Sequence, residues 1–272
     1  MESLRQVWTI EQVPDHEAIW RLGDPEFSGL EPTRIRLAIW NLCKGAGGRL
    51  FDHDYRTLCY GSDLILTQEA LLSKHALGMY TGPGFETIHA ASYKRRDGLR
   101  DGVMTVARAP AFGEPLRVIC KYPEPIFKTP KAALIKLYPL LGSEQKLMVI
   151  NIHATLMRRK AAAVEEMEHL LSHLPGHVGP IVLAGDFNTF TPGYLRAVSQ
   201  VLHRIGLNYV AIPGDPRPKT QALDQLFCRG LEVTNARIDT TFRNSDHFPI
   251  LAELRLIASS SSSSDKVIQS IS

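Results

Sequence analysis

Short apolar or alternating segments recur along most of the chain, and they predict a protein built mainly of β-strands. Arg34–Asn41 alternates apolar with polar residues, and Asp63–Gln68 is short and apolar. Segments of this kind are typical of strands when glycine, proline or charge clusters bound them. The same signal predicts further strands at Glu86–Tyr93, Val103–Arg108, Ala132–Leu140, Lys146–Ala154, Ile181–Ala184, Asp224–Cys228, Leu231–Ile238 and Ile250–Leu256.

A smaller number of segments have the period of a helix. Met157–Leu174 and Gly193–Ile205 repeat apolar residues about every 3.6 positions, and Pro192 stands where a helix start tolerates proline. Tyr55–Cys59 is a candidate short helix. Strands with helices between some of them predict an α/β fold. Two mixed sheets packed back to back, each covered by helices, would accommodate this many strands.

The two ends of the chain lack these patterns. Residues 1–33 show no strand alternation and are interpreted as an N-terminal arm packed against the core, which leaves 34–257 as the main domain. Residues 258–272 contain the serine run Ser259–Ser264, which can bury nothing and is expected to be disordered.

The composition restricts the possible substrates and compartments but does not indicate a function. The chain has 272 residues, 44% of them hydrophobic, and a net charge of +3, which permits an anionic substrate without requiring one. Its four cysteines form no Cys-x-x-Cys pair, which fits a reducing compartment. No secretory signal or membrane-spanning segment is recognised. We therefore expect a cytoplasmic monomer without an obligate protein partner.

Polar side chains cluster at the ends of the predicted strands, where a binding cleft usually collects its residues. Ile181–Ala184 leads directly into Asp186 and Asn188, and the pair Asp246-His247 precedes the last strand. Further polar residues at or next to strand ends are Asn41, Glu69, Lys131, His153 and Asp224.

This set of residues fits metal-dependent hydrolysis of a phosphodiester. A bound Mg²⁺ neutralises phosphoryl oxygens and the leaving group, and it needs only one or two carboxylates because it keeps several waters. Glu69 is the first-choice metal ligand. Asn41 and Asp246 are neighbours that would bind the metal directly or through water.

The remaining residues can be given catalytic roles. Asp186 suits the general base that activates water, and the Asn188 amide would orient that water or a phosphate oxygen without adding charge. His247 and His153 would donate hydrogen bonds to the phosphoryl oxygens as charge builds. Asp224 is the candidate partner that holds the tautomer of His247.

The ordered motifs of the chain resemble the endonuclease/exonuclease/phosphatase superfamily, also called deoxyribonuclease I-like, over roughly residues 34–256. The motifs that carry this resemblance are Trp40-Asn41, Gln68-Glu69-Ala70, Asn151-Ile152-His153, Gly185-Asp186-Phe187-Asn188, Leu223-Asp224-Gln225 and Ser245-Asp246-His247-Phe248-Pro249. A closer resemblance is to bacterial YafD-like proteins. It is carried by Gly102-Val103-Met104-Thr105, Lys131-Ala132-Ala133-Leu134, Tyr138-Pro139-Leu140 and Phe227-Cys228-Arg229-Gly230-Leu231.

The resemblance implies a four-layer αββα sandwich of two mixed sheets, dependence on Mg²⁺ or Mn²⁺, and the site roles given above. We add Lys131 and Asn151 as substrate-binding residues. His153 replaces the tyrosine of abasic-site endonucleases, which makes the chain more similar to the deoxyribonuclease I and sphingomyelinase branches.

Each residue type in this set also has a purely structural explanation. Asn41 alone would be a turn residue, and His153 alone a structural histidine. Asp186 and Asn188 could simply cap the helix that follows them. Asp52-His53-Asp54 resembles a metal cluster, but we interpret it as a cap where a helix begins. The whole set in family order at strand ends favours the catalytic interpretation.

The expected function is a Mg²⁺-dependent phosphodiesterase acting on nucleic acid, as an endonuclease or exonuclease. Basic clusters at Lys94–Arg96, at Arg158–Lys160, and at Arg217 with Lys219 would follow phosphates at the cleft rim. The alternative is a phosphoesterase for a phospholipid, as in sphingomyelinases, or for an inositol phosphate, with Tyr209–Pro213 as an apolar loop. A binding module without catalysis is disfavoured because the metal carboxylate and the Asp-x-Asn pair are both present.

Overall fold

The structure is a computed structural model that describes most of the chain. The predicted serine-rich tail, the first part of the predicted arm, and Arg158 and Lys219 of the basic clusters lie outside the described residues. No helix in the described part has both the length and the hydropathy needed to cross a bilayer. The described residues are 10–45, 48–125, 128–157, 159–217 and 223–257.

Strands predominate, as the sequence pattern predicts. The strands are β1 (Ile10–Glu11), β2 (Ile19–Leu22), β3 (Ile35–Asn41), β4 (Leu64–Gln68), β5 (Glu86–Arg95), β6 (Arg100–Ala107), β7 (Phe112–Ile119), β8 (Ala132–Pro139), β9 (Lys146–His153), β10 (Ile181–Asp186), β11 (Asn208–Tyr209), β12 (Asp224–Arg229), β13 (Leu231–Ile238) and β14 (Ile250–Leu256). The α-helices are α1 (Asp15–Ala18), α2 (Gly48–Gly61), α3 (Lys74–Tyr80), α4 (Lys160–Ser172) and α5 (Pro192–His203).

These strands form two mixed sheets. The first has eight strands in the order β1-β5-β6-β4-β3-β14-β13, with β2 also paired to β5, and the second has six in the order β11-β12-β10-β9-β8-β7. The pairs β3–β4 and β9–β10 are parallel, with α2 and α4 as their crossover helices. Each sheet therefore has a parallel pair whose two carboxyl ends lie at the same edge.

The two sheets pack face to face around an apolar core. Leu37 and Ile39 of the first sheet belong to the same buried cluster as Val149 and Val182 of the second. A second cluster joins the outer face of the six-stranded sheet to α4 and α5. A third joins the outer face of the eight-stranded sheet to α2 and α3. This order of layers confirms the predicted αββα sandwich.

Three strand regions escape the sequence pattern, namely the strands of the predicted arm, β7 and the two-residue β11. Residues 10–22 of the predicted arm supply β1 and β2, which both pair with β5. β7 lies at the edge of its sheet, and its register with β8 shifts between Phe112 and Leu116, around Pro115. An edge strand with a bulge tolerates proline and loses the regular alternation that marks an inner strand.

The helix predicted at Tyr55–Cys59 is longer than expected. It extends over Gly48–Gly61, so Asp52, His53 and Asp54 lie within it rather than at its start. The interpretation of these three residues as a cap is therefore wrong. Asp52 and His53 are exposed on the outer face of the helix, and they take no part in the constellation of strand-end residues.

Candidate active site

Most of the predicted site residues meet at one edge of the sandwich. Asn41 and Asp186 are the last residues of β3 and β10, and Glu69 directly follows β4. Asp224 opens the antiparallel strand β12 and is the register partner of Asp186. Because ligands of open α/β sheets bind beyond the carboxyl ends of parallel strands, this edge is where a cleft is expected.

Gly185, the residue before Asp186 in β10, lies where only glycine fits. Its φ is +138°, and a Cβ at this position would lie 1.9 Å from the Ile152 carbonyl oxygen and 3.0 Å from Nε2 of Gln68. Any side chain would therefore push apart β9 and β10, and also the two sheets. Glycine keeps these strands close and so places Asp186 opposite Asn41.

The Asp186 carboxylate is buried and held by uncharged donors. Its Oδ2 accepts a hydrogen bond from Nδ2 of Asn41 at 3.0 Å, and its Oδ1 accepts one from the backbone N–H of Asn188 at 2.9 Å. Nε2 of His153 lies 3.5 Å from Oδ2. Burial and the repulsion of Asp224 raise the pKa of Asp186, although the charge of His247 and the hydrogen bonds from Asn188 and Asn41 act to lower it. A carboxylate with a raised pKa is suited to accept a proton.

The helix-cap explanation of Asp186 and Asn188 does not hold. α5 begins at Pro192, and its N-cap is Thr191, whose side chain accepts from the backbone N–H of Tyr194. The Asn188 side chain instead donates to the Ala154 carbonyl at 2.8 Å.

His247 and Asp224 lie together, as their predicted pairing requires. Nδ1 of His247 is 2.9 Å from Oδ2 of Asp224. Burial opposes charge on His247, but the hydrogen bond and charge of Asp224 prevail and raise the pKa of His247 to about 9. His153 differs, because burial and the charge of Lys131 lower its pKa well below the ordinary value. At neutral pH the site thus combines an imidazolium with a neutral imidazole.

Glu69 has a different environment from Asp186. Oε2 of Glu69 is 2.6 Å from Nζ of Lys44, and its Oε1 is 3.7 Å from Nζ of Lys131. Burial opposes charge on Glu69, yet the two lysines together lower its pKa. Lys131 is itself nearly buried and pairs with Glu124 at 3.1 Å.

The donor set around Glu69 fits a hard divalent cation. Asp246 is exposed, and its charge acts on Glu69. The amide oxygen of Asn41 accepts from the backbone N–H of Cys43 at 3.0 Å. Carboxylate and amide oxygens are ligands that Mg²⁺ accepts. Asp186, Asp224 and His247 form a second group whose potential ligand atoms lie within 4.8 Å of one another. In this group Nδ1 of His247 already bonds to Oδ2 of Asp224.

Unusual backbone conformations are concentrated at this edge. Among the described residues, the non-glycine residues with positive φ are Cys43, Lys44, Glu69, Lys128 and Asn188. Glu69 and Asn188 both have φ of 51°. Such conformations persist only where the surrounding structure holds them, and they are frequent at active sites.

Asn151 does not fit its predicted role in substrate binding. It is fully buried between the sheets, where its Oδ1 accepts from Nε2 of Gln68 at 2.7 Å. Its Nδ2 donates to the carbonyls of Thr67 and Met104. These bonds join β9 to β4 and β6, so Asn151 links the two sheets. Lys131 is likewise buried, and its ammonium group lies near Glu69 and pairs with Glu124.

Two cations contact the site although no local sequence pattern places them there. Lys44 is a turn residue, which no strand-end pattern marks. The sequence predicts Arg217 as part of a basic cluster that follows phosphates. Its side chain is 5% exposed and forms ion pairs with Asp215 at 2.8 Å and with Asp224 at 3.2 Å. Arg217 therefore supports the partner of His247 rather than facing solvent.

Comparison with known proteins agrees with this geometry. A model of the Endonuclease/Exonuclease/phosphatase family matches residues 38–247. The chain belongs to this family. Members of the endonuclease/exonuclease/phosphatase family are hydrolases that act on phosphate esters. The chain is also 32% identical over 230 residues to a UPF0294 protein of Vibrio vulnificus (strain YJ016), covering 82% of this chain and 78% of that relative. UPF0294 proteins are YafD-like, so this match confirms the closer resemblance.

Solved structures share the fold of this chain. An endonuclease/exonuclease/phosphatase from Beutenbergia cavernae aligns with a TM-score of 0.64 at 18% identity, over 82% of this chain and 72% of that chain. The human nocturnin catalytic domain with bound sulfate aligns at 0.59 and 15% identity, over 90% and 100% of the two chains. A mannosyl-6-phosphatase from Bacteroides thetaiotaomicron aligns at 0.60 and 19% identity, over 81% and 99%.

Proposed function

We propose that the protein is a divalent-metal-dependent phosphodiesterase that cleaves nucleic acid. The observation that carries this proposal is the pair of carboxylates with opposite environments at one sheet edge. Asp186 is held by uncharged donors, and Glu69 is surrounded by cations. Hydrolysis of a phosphodiester needs both kinds, because one carboxylate must take a proton and the other must keep a cation near the phosphoryl oxygens.

In this proposal the side chains divide the reaction between them. Asp186 takes a proton from the water that attacks phosphorus, and Asn188 orients that water. The His247 imidazolium donates to a phosphoryl oxygen as negative charge builds there, and Asp224 holds its ring. His153 remains neutral and donates a second hydrogen bond. Mg²⁺ or Mn²⁺ held by Glu69, with Asp246 and Asn41 beside it, would neutralise the phosphoryl and leaving oxygens.

The segment Tyr209–Pro213 is the loop that would contact a membrane if the substrate were a phospholipid, and its packing favours nucleic acid instead. Val210 and Ile212 of the segment Tyr209–Pro213 pack against the core between the sheets rather than projecting from it. Tyr209 is 41% exposed, but its ring lies against Phe227. This loop therefore offers less apolar surface than a lipid-binding phosphoesterase needs. A phospholipid or an inositol phosphate remains the alternative substrate class.

A cytoplasmic monomer without an obligate protein partner completes the proposal. Cys43, Cys59, Cys120 and Cys228 are all free thiols. Free cysteines fit a reducing compartment, where nucleic acid is the abundant phosphodiester. Size-exclusion chromatography with light scattering would test the monomer directly.

The test compares three substrates in parallel: supercoiled plasmid, an RNA oligomer and a choline phospholipid, each with Mg²⁺, Mn²⁺ or EDTA. The variants are Asp186→Asn and, as a matched control, Asp52→Asn on the exposed face of α2. We expect cleavage of plasmid or RNA that requires metal, persists in the control and is lost in Asp186→Asn. Release of phosphocholine without cleavage of plasmid or RNA would show that the substrate is a phospholipid rather than nucleic acid. Cleavage that survives EDTA would contradict the metal-dependent mechanism.

A further inference from the structure

The side chain of Lys44 makes the shortest ionic contact of the proposed metal carboxylate. Nζ of Lys44 lies 2.6 Å from Oε2 of Glu69, whereas Nζ of Lys131 lies 3.7 Å from Oε1. The Lys44 side chain is 41% exposed, and the Lys131 side chain is 5% exposed. One cation at Glu69 therefore has its side chain partly in solvent, and the other is enclosed.

The turn that carries Lys44 is held in an unfavourable backbone conformation. Cys43 and Lys44 have φ values of 46° and 59°, which non-glycine residues seldom adopt in succession. The backbone N–H of Cys43 donates to the Asn41 side chain, and that of Gly45 donates to the Leu42 carbonyl at 2.9 Å. These bonds fix the turn at the end of β3 and direct Lys44 towards Glu69. Strain of this kind is frequent where a side chain must be presented to a functional group.

An ammonium group and a divalent cation compete for the same carboxylate oxygen. Both neutralise its charge, and each repels the other at contact distance. Lys131 is less affected, because Glu124 neutralises it from the other side at 3.1 Å. The Lys44 ammonium group, in direct contact with the Glu69 carboxylate, supplies one full positive charge there at neutral pH.

We propose that Lys44 is an internal competitor for the divalent cation: it neutralises Glu69 in the metal-free protein and withdraws into solvent when the metal binds. This inference rests on the proposed function, because it takes Glu69 as a metal ligand. It goes further by giving the turn after β3 a role in setting metal affinity. The lysine neutralises the Glu69 carboxylate when no metal is bound, at the expense of weaker metal binding.

The test measures binding of Mn²⁺ to the full-length protein by the electron paramagnetic resonance signal of the free ion, so it needs no substrate. The variants are Lys44→Met, Lys44→Arg, Glu69→Gln and, as a matched control, Lys146→Met. Lys146 lies at the other end of β9 and stacks on Phe112. Its replacement therefore removes the same charge far from the cleft.

We expect Lys44→Met to bind Mn²⁺ about 3- to 30-fold more tightly than the wild type, the range for removing a unit charge beside a partly exposed carboxylate. Lys44→Arg and Lys146→Met should bind as the wild type does. A second readout is acylation of lysines followed by mass spectrometry. Mg²⁺ should increase the reactivity of Lys44 and leave that of Lys131 unchanged.

The outcomes separate this inference from the proposed function. If Lys44→Met binds Mn²⁺ no more tightly than the wild type while Glu69→Gln loses binding, the competitor role is wrong and the metal site stands. If neither the wild type nor Lys44→Met binds Mn²⁺, both proposals fail. Tight binding by Lys44→Met, absent from Lys146→Met, supports both.

Discussion

The carboxylates of Glu69 and Asp186 lie at the same edge of the sandwich, yet their surroundings are opposite. Glu69 is approached by the ammonium groups of Lys44 and Lys131, which lower its pKa despite burial. Asp186 accepts bonds from an amide side chain and a backbone N–H. Burial and a neighbouring carboxylate raise its pKa.

The difference follows from the strands that carry them. Glu69 follows β4 of the eight-stranded sheet, where the turn after β3 and the start of β8 each bring a lysine. Asp186 ends β10 of the six-stranded sheet, beside Asp224 on the neighbouring strand β12. Two residues of the same chemical type thus become a permanent anion and a proton acceptor. This division is the basis for assigning the metal to one and the base to the other.

The largest expected effect comes from neutralising Asp186, which tests its role as the proton acceptor against the role of Glu69 as the metal ligand. Asp186→Asn should reduce kcat about 10²- to 10⁴-fold, the usual contribution of a general base. Added Mg²⁺ should not restore the rate, because the lost group accepts a proton. The melting temperature should change little, because losing the charge that repels Asp224 offsets losing one of the two hydrogen bonds that the carboxylate accepts. Initial rates across a Mg²⁺ titration, with circular dichroism of both proteins, would check this.

Neutralising Glu69 should give the opposite behaviour. Glu69→Gln should weaken Mn²⁺ binding on the order of 100-fold, and its rate should recover as the metal concentration rises. Isothermal titration with Mn²⁺ and the same rate titration provide the measurement. If Asp186→Asn is rescued by metal and Glu69→Gln is not, the two roles have been assigned the wrong way round.

A third prediction concerns the histidine that faces Asp186. The pKa of His247 is raised to about 9 by Asp224, so its donating, protonated form persists through neutral pH and is lost as pH rises through that value. Removing the Asp224 charge lets the pKa fall back towards about 6.5. In a plot of rate against pH, Asp224→Asn should therefore shift the alkaline limb from about pH 9 towards about pH 6.5. An unshifted alkaline limb would assign it to another group.

Much of this site could be predicted from the sequence because its residues terminate recognisable strands. Asn41, Glu69, His153 and Asp186 each follow an apolar run, and buried parallel strands give the clearest patterns in a chain. The inner strands follow from the same pattern, and α4 and α5 follow from their 3.6-residue period, whereas the period predicts only Tyr55–Cys59 of α2, the longest described helix. β7 was missed because proline and a bulge interrupt its alternation at a sheet edge.

Contacts between distant segments could not be predicted in this way. The ion pair of Lys44 with Glu69 joins a turn to a strand end 25 residues away, and no local period encodes such a pair. Arg217 looked like a surface charge because its partner Asp224 is identified only by the fold. Asn151 and His153 lie on the same face of β9, but Asn151 is enclosed between the sheets whereas His153 ends the strand at the edge of the sandwich.

The smallest expected effect is that of replacing Asn151. This substitution tests whether the packing of the two sheets alone sets the distance between the Glu69 and Asp186 carboxylates. Asn151 joins β9 to β4, the strands that lead to His153 and Glu69, through bonds to Gln68 and to backbone carbonyls. Asn151→Ala should lower the free energy of unfolding by about 1–3 kcal/mol, because it leaves Gln68 and these carbonyls without their buried partner. Urea unfolding followed by tryptophan fluorescence would measure the loss. Mn²⁺ affinity and KM should change little, since the apolar core still holds the sheets together. If KM rises steeply while the stability is unchanged, Asn151 contacts the substrate after all and the sheets must open further than this structure shows.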